Sequence, residues 1–196
     1  MRAVTITTAL LLVIGANSVQ QDIYAQSSKQ QKPTDIIPTA GPCVFDLERG
    51  EVPNCVRESA TRGLFIAPEL LNDLQFDSHG LAAVFSPKEG WMYVSRTGKV
   101  VIRGIPVMDN AADSFHDGLV RIVRNGKYGF SNRRGHMVIP PIYDGAMPFE
   151  NGRAAVCKGC ESKAVEPDGE YHIFAGGVWF QINTKGTVLA RLHPDS

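Results

Sequence analysis

Residues 118–149 read GLVRIVRNGKYGFSNRRGHMVIPPIYDGAMPF, and the way this stretch is punctuated decides the fold. Two strand-like runs meet at Asn125-Gly126, a dipeptide whose tolerance of positive φ suits the tight turn of a β-hairpin. The second run ends at Gly135, and a third descends into the corner Pro140-Pro141. Proline has no N–H to give to a ladder, so a strand is expected to stop there. The unit predicted is a three-stranded antiparallel meander.

The same unit is written again on either side. Gly80, Gly118 and Gly152 open successive copies, and the second and fourth residues after each are Ala82 and Val84, Val120 and Ile122, Ala154 and Val156. That period of two marks a strand with one buried face. A second set, Gly98, Gly135 and Gly186, closes the next strand of each copy. Trp91, Tyr128 and Trp179 stand seven residues before these glycines, Tyr93, Phe130 and Gln181 five before, and Ser95, Asn132 and Asn183 three before. Rings two apart share a face and build one layer of core. A short polar side chain ahead of the glycine suits a turn, because it bonds the backbone two residues on. Third strands follow at Val100-Val101-Ile102, Met137-Val138-Ile139 and Val188-Leu189-Ala190. The corner recurs at Ile105-Pro106 and Ile66-Ala67-Pro68, and Phe76, Phe115 and Phe149 are expected to fill the gaps between units.

The pattern Tyr128-Gly129-Phe130, Asn132, Gly135, Val138-Ile139-Pro140, Tyr143-Asp144, Ala146, Phe149, Gly152, Ala154, Val156 resembles the WG β-repeat of bacterial WG repeat-containing proteins. The likeness extends over about Phe65 to Leu189, although Met92 and Phe180 stand where the glycine of the tryptophan-glycine pair would follow Trp91 and Trp179. It implies an all-β array in exported or envelope proteins, with no common enzymatic activity, and the glycine anchors above set the array at about three repeats.

Beyond the array, Met1 and Arg2 precede an apolar run from Val4 to Ala16, too short to cross ~30 Å of hydrocarbon comfortably. This reads as a signal peptide over residues 1–25, cleaved after Ala25 with Ser18 as a second site. Residues 26–42, rich in Gln, Ser, Lys and Pro, read as a disordered linker. Residues 43–63 read as an N-terminal cap segment, 64–190 as the repeat domain and 191–196 as a tail. With 20 basic and 20 acidic residues the chain is neutral, which removes any general attraction to nucleic acid or an anionic membrane. The expected location is periplasmic or secreted. In such a compartment Cys43, Cys55, Cys157 and Cys160 favour disulfides, and the two local pairs are the simplest of three connectivities.

Two features carry candidate chemistry. The last unit is swollen between Cys157 and Gly177, and the insertion holds Cys157-Lys158-Gly159-Cys160, the acids Glu161, Glu166, Asp168 and Glu170, and His172. Three readings of the C-x-x-C stand together. It is a structural disulfide, a redox pair, or part of a zinc site using Cys157, Cys160 and His172, for which a fourth ligand is missing at recognisable spacing. The second feature is a run without acids between Asp117 and Asp144 that contains Arg121, Arg124, Lys127, Arg133 and Arg134, a surface for a protein or an anionic envelope polymer. Nucleotide-binding and metalloprotease motifs are absent, and no cofactor is implied. The sequence therefore predicts an exported, non-enzymatic binding module.

Overall fold

The computed structural model describes residues 36–44, 50–108, 110–164 and 172–192. The expected signal peptide (residues 1–25), residues 26–35 of the expected linker and residues 193–196 of the expected tail lie outside them, as do Glu166, Asp168 and Glu170 of the insertion.

The chain begins as β1 (Ile36–Val44), β2 (Glu51–Ser59) and β3 (Gly63–Ile66), followed by a 3-10 turn at Pro68–Asp73. The first repeat meander is β4 (Leu81–Ser86), β5 (Gly90–Ser95) and β6 (Val100–Ile105), and a small hairpin follows, β7 (Val107–Met108) with β8 (Ala111–Ala112). The second meander is β9 (Leu119–Arg124), β10 (Lys127–Asn132) and β11 (Met137–Tyr143). After β12 (Gly145–Ala146) come β13 (Arg153–Lys158), the inserted hairpin β14 (Glu161–Ala164) and β15 (His172–Ala175), then β16 (Val178–Asn183) and β17 (Val188–Leu192). The fold is all-β and antiparallel throughout, as the repeat pattern required.

The N-terminal segment is more regular than its composition suggests. Strand β1 starts at Ile36, inside the expected linker, and pairs with β2 from Ile36 opposite Ser59 to Val44 opposite Glu51. Backbone pairing overrides a Pro-rich composition here because β1 also lies against β4, with Val44 opposite Phe85. A six-stranded sheet results, in the order β3-β2-β1-β4-β5-β6. Its two margins meet again: Phe65 bridges Lys99, and the Ile66 N–H donates to the Gly98 carbonyl at 2.8 Å. The sheet thus curls around Cys43, Cys55, Val56, Ile66, Val84, Met92 and Val94, all fully buried or nearly so. The Cys43–Cys55 disulfide ties β1 to β2 inside this core.

The turns are built as the sequence predicts. Asn132 Oδ1 accepts the N–H groups of Arg134 and His136, and Asn183 Oδ1 those of Lys185 and Thr187, while the closing glycine donates back three residues in each turn. The phenylalanines join units as expected. Phe115, ahead of the second meander, lies 4.9 Å from Tyr93 of the first, and Phe149, ahead of the third, lies 4.7 Å edge-on to Phe130 of the second.

Two expectations need correction. Strand β11 does not stop at Pro140-Pro141 but runs on to Tyr143. Tyr128 faces Tyr143 while Phe130 faces Ile139, so the prolines form a bulge in the β11 strand. Gly129 makes room for it, since a Cβ there would lie 2.5 Å from the Ile139 carbonyl. The second correction concerns β9, read as buried on one face. Leu119, Val120, Arg121 and Ile122 are all buried. Val120 and Ile122 pack on the first meander, while Leu119 joins the core shared with the third. An interior strand of an array is covered from both sides.

Candidate functional site: the groove beside the inserted hairpin

The insertion in the last unit is anchored at its base by three local devices. Cys157 and Cys160 form a disulfide, both sulfurs being shielded from water. The Gly159 N–H donates to Asp144 Oδ2 at 2.7 Å, and Lys127 pairs with the same carboxylate. These contacts hold the Asp144 carboxyl below its ordinary pKa, the Lys127 hydrogen bond first and the Gly159 N–H next. Gly177, at φ +69°, lets the chain return, because a Cβ there would stand 2.4 Å from the Cys160 nitrogen. From this base β14 and β15 rise with Glu161 opposite Ala175 and Ala164 opposite His172. Phe174 meets the Tyr128 ring edge-on at 5.2 Å, and Trp179 Nε1 donates to the Gly176 carbonyl at 3.0 Å.

Between this hairpin and the β7–β8 hairpin lies a groove of about 760 Å³. One wall carries His172, Ile173, Phe174 and Trp179, the other Pro106, Val107 and Met108, with Arg121 and Tyr128 at the floor and exposed Met147 at the rim. Val107 is 58% exposed, Ile173 56%, Met147 47% and Met108 40%, so much of the apolar surface faces water. An uncovered apolar patch of this kind marks an interaction site far more often than scattered single residues do.

The floor is rigid. Arg121 forks onto Asp113, with Nη2 2.7 Å from Oδ1 and Nε 3.0 Å from Oδ2, and its Nη1 donates to the Ala146 carbonyl at 2.9 Å. The Asp113 N–H donates to the Pro106 carbonyl, and Tyr93 Oη donates to the Asp113 carbonyl at 2.8 Å. Both charged residues are almost wholly buried. One network therefore joins the first meander, both corners and the second meander beneath the groove.

Burial, and then the negative charge of Asp113, push the Tyr93 phenol from 10.0 to about 12. A pKa raised by folding gives stability that is complete below the unfolded value and lost as pH rises through the folded one. The protein is expected to lose stability between pH 10 and 12, and Tyr93→Phe to lose less over that window. Urea unfolding at stepped pH measures this; identical alkaline losses in both proteins would show that Tyr93 does not carry the effect.

The five basic residues read as a surface do not stay together. Arg121 is corrected from surface to core, because the face of β9 it occupies is covered by the next corner. Lys127 is engaged by Asp144. Arg133 lies over the Phe115 ring at 4.2 Å and reaches Asp77 at 3.4 Å, joining units. Arg134 is exposed, and Arg124 lines a different cleft with Arg62, Lys99 and Arg103. The zinc alternative is not assembled either: Cys157 and Cys160 are bonded to each other, His172 sits at the far end of its hairpin, and no metal-holding group of three occurs among the described residues. Among the described residues there is no helix long and apolar enough to cross a membrane. Sequence reasoning missed Val107, Met108, Met147 and Asp113, whose roles arise only when distant corners meet.

No curated protein and no solved structure matches the chain. Residues 128–159, running from Tyr128 on β10 through the Pro140-Pro141 bulge to the Gly159 turn, match the WG containing repeat.

Proposed function

We propose that the protein is an exported, non-enzymatic binding module of the bacterial cell envelope, and that its groove takes an extended apolar segment of a partner protein. The observation that carries this is the 760 Å³ groove, walled by the unit's own insertion and rimmed by exposed Val107, Met108, Met147 and Ile173. Its two walls rest on two-stranded sheets, β7–β8 and β14–β15. Each has an outer edge without a strand partner among the described residues, and an extended peptide can pair with such an edge. Methionine adapts to different side chains, which suits a partner recognised by shape and apolarity. The signal-like N-terminus and the two disulfides support export.

Peptides selected from a random display library on the whole protein are expected to carry alternating apolar anchors. Ile173→Asp is expected to weaken them at least tenfold, since burying one large apolar side chain stabilises a complex by about 1.5–3 kcal/mol. Its effect on folding should stay within about 0.5 kcal/mol, as the side chain is exposed. Selection of peptides indifferent to Ile173→Asp would overturn the groove. Fractionation of expressing cells tests export: a chain beginning at Gln26 outside the cytoplasm supports it, and a full-length cytoplasmic chain overturns it.

A further inference from the structure

On the seam where β3 meets β6, Arg62, Lys99, Arg103 and Arg124 line a cleft of about 340 Å³, with Glu58 the one carboxylate among the described residues that line it. These residues come from the β2–β3 turn, the β5–β6 turn, β6 and the end of β9, so the N-terminal strands and the first two meanders all contribute. Two close approaches bring them together. The Phe65–Lys99 bridge closes the six-stranded sheet, and Gly104 lets the Val123 carbonyl approach where a Cβ would stand 2.5 Å from it. In a chain with as many acids as bases, four cations around one concavity are a local excess. Arg103 has Glu89 at 3.6 Å, and the other three have no ion pair to a carboxylate among the described residues.

We infer that this cleft binds two or three closely spaced phosphate-type oxyanions. Guanidinium groups present paired N–H donors in a plane that matches such oxygens, and Lys99 adds a compact charge. Val100, Val101, Ile102 and Met137 line the cleft between these cations, so no further charge of theirs competes for the ligand. The volume equals that of about ten waters, more than one tetrahedral anion needs and enough for a short chain of them. The chemistry is shared by a free oligophosphate and by a polymer with phosphodiester links, and it does not depend on what the apolar groove holds.

Calorimetric titration of the full chain at low ionic strength with linear tripolyphosphate, orthophosphate and a poly(glycerol phosphate) tests the inference. Tripolyphosphate is expected to bind at least tenfold more tightly than orthophosphate and to weaken as salt is raised. The double change Arg103→Ala, Arg124→Ala is expected to weaken it at least tenfold, while Arg134→Ala, outside the cleft, leaves it unchanged. All three side chains are exposed, so the variants should keep the native circular dichroism. Competition by the polymer would identify it as a source, and tripolyphosphate binding without competition would favour a free oligophosphate. Absence of tripolyphosphate binding, equal affinity for orthophosphate, or affinity unmoved by the double change would each overturn the inference.

Discussion

Arg121→Ala is expected to lower stability by about 3–5 kcal/mol, because it leaves the Asp113 carboxylate buried without a counter-charge. Asp113 is 2% exposed, and its two oxygens accept three hydrogen bonds from Arg121, one of them from the backbone N–H. The Ala146 carbonyl loses its donor as well. For a domain of this size the melting temperature should fall by roughly 10 °C. Arg121→Lys keeps the charge but loses the fork, so it should fall between the two. Removing both partners, Arg121→Met with Asp113→Leu, should be milder than either single change, since no lone charge remains. Urea unfolding of the wild type, Arg121→Met, Asp113→Leu and the double variant closes the cycle that measures the coupling. A loss below 1 kcal/mol in Arg121→Ala would mean that the pair contributes little and that the floor of the groove is held otherwise.

Gly135→Ala and Gly118→Ala form a matched pair with unequal outcomes. Both glycines have φ +78°, so each substitution brings the strain of the left-handed region, about 1–2 kcal/mol. At Gly118 a Cβ would meet nothing within 4 Å, whereas at Gly135 it would lie 2.4 Å from the Val101 carbonyl oxygen. Backbone cannot swing aside as a side chain does, and overpacking adds about 1–3 kcal/mol. Gly135→Ala should therefore lose roughly twice as much as Gly118→Ala. Thermal unfolding of the two variants compares them directly. Equal losses would show that the second meander is not held this closely to the first.

Much of the fold was legible because its punctuation is local. Asn125-Gly126, Asn132 with Gly135, and Asn183 with Gly186 act over a few residues, and the sequence states them outright. The two disulfides were legible for the same reason, being closed over short separations. Arg121 was misplaced because alternation tells which residues share a face but not whether that face meets water. An arginine on the outer face of a lone sheet is solvated; on β9, which has a unit on either side, both faces are interior. Val44 opposite Phe85 is invisible in the same way, since nothing in a Pro-rich stretch announces a pairing partner 41 residues on. The groove and the basic cleft were illegible for a third reason: Met108 and Ile173, or Arg62 and Arg124, become neighbours only through the stacking of units.

The closing seam also bears on how the protein behaves in company. A flat six-stranded sheet would end in two rows of unsatisfied amides and carbonyls, each a template on which another chain could add a strand and begin an aggregate. Where Phe65 meets Lys99, the first and last strands of the sheet answer each other instead. The N-terminal hairpin covers the open side of β4, and β3 approaches the start of β6. For a chain made largely of strands, that closure protects against edge-to-edge association.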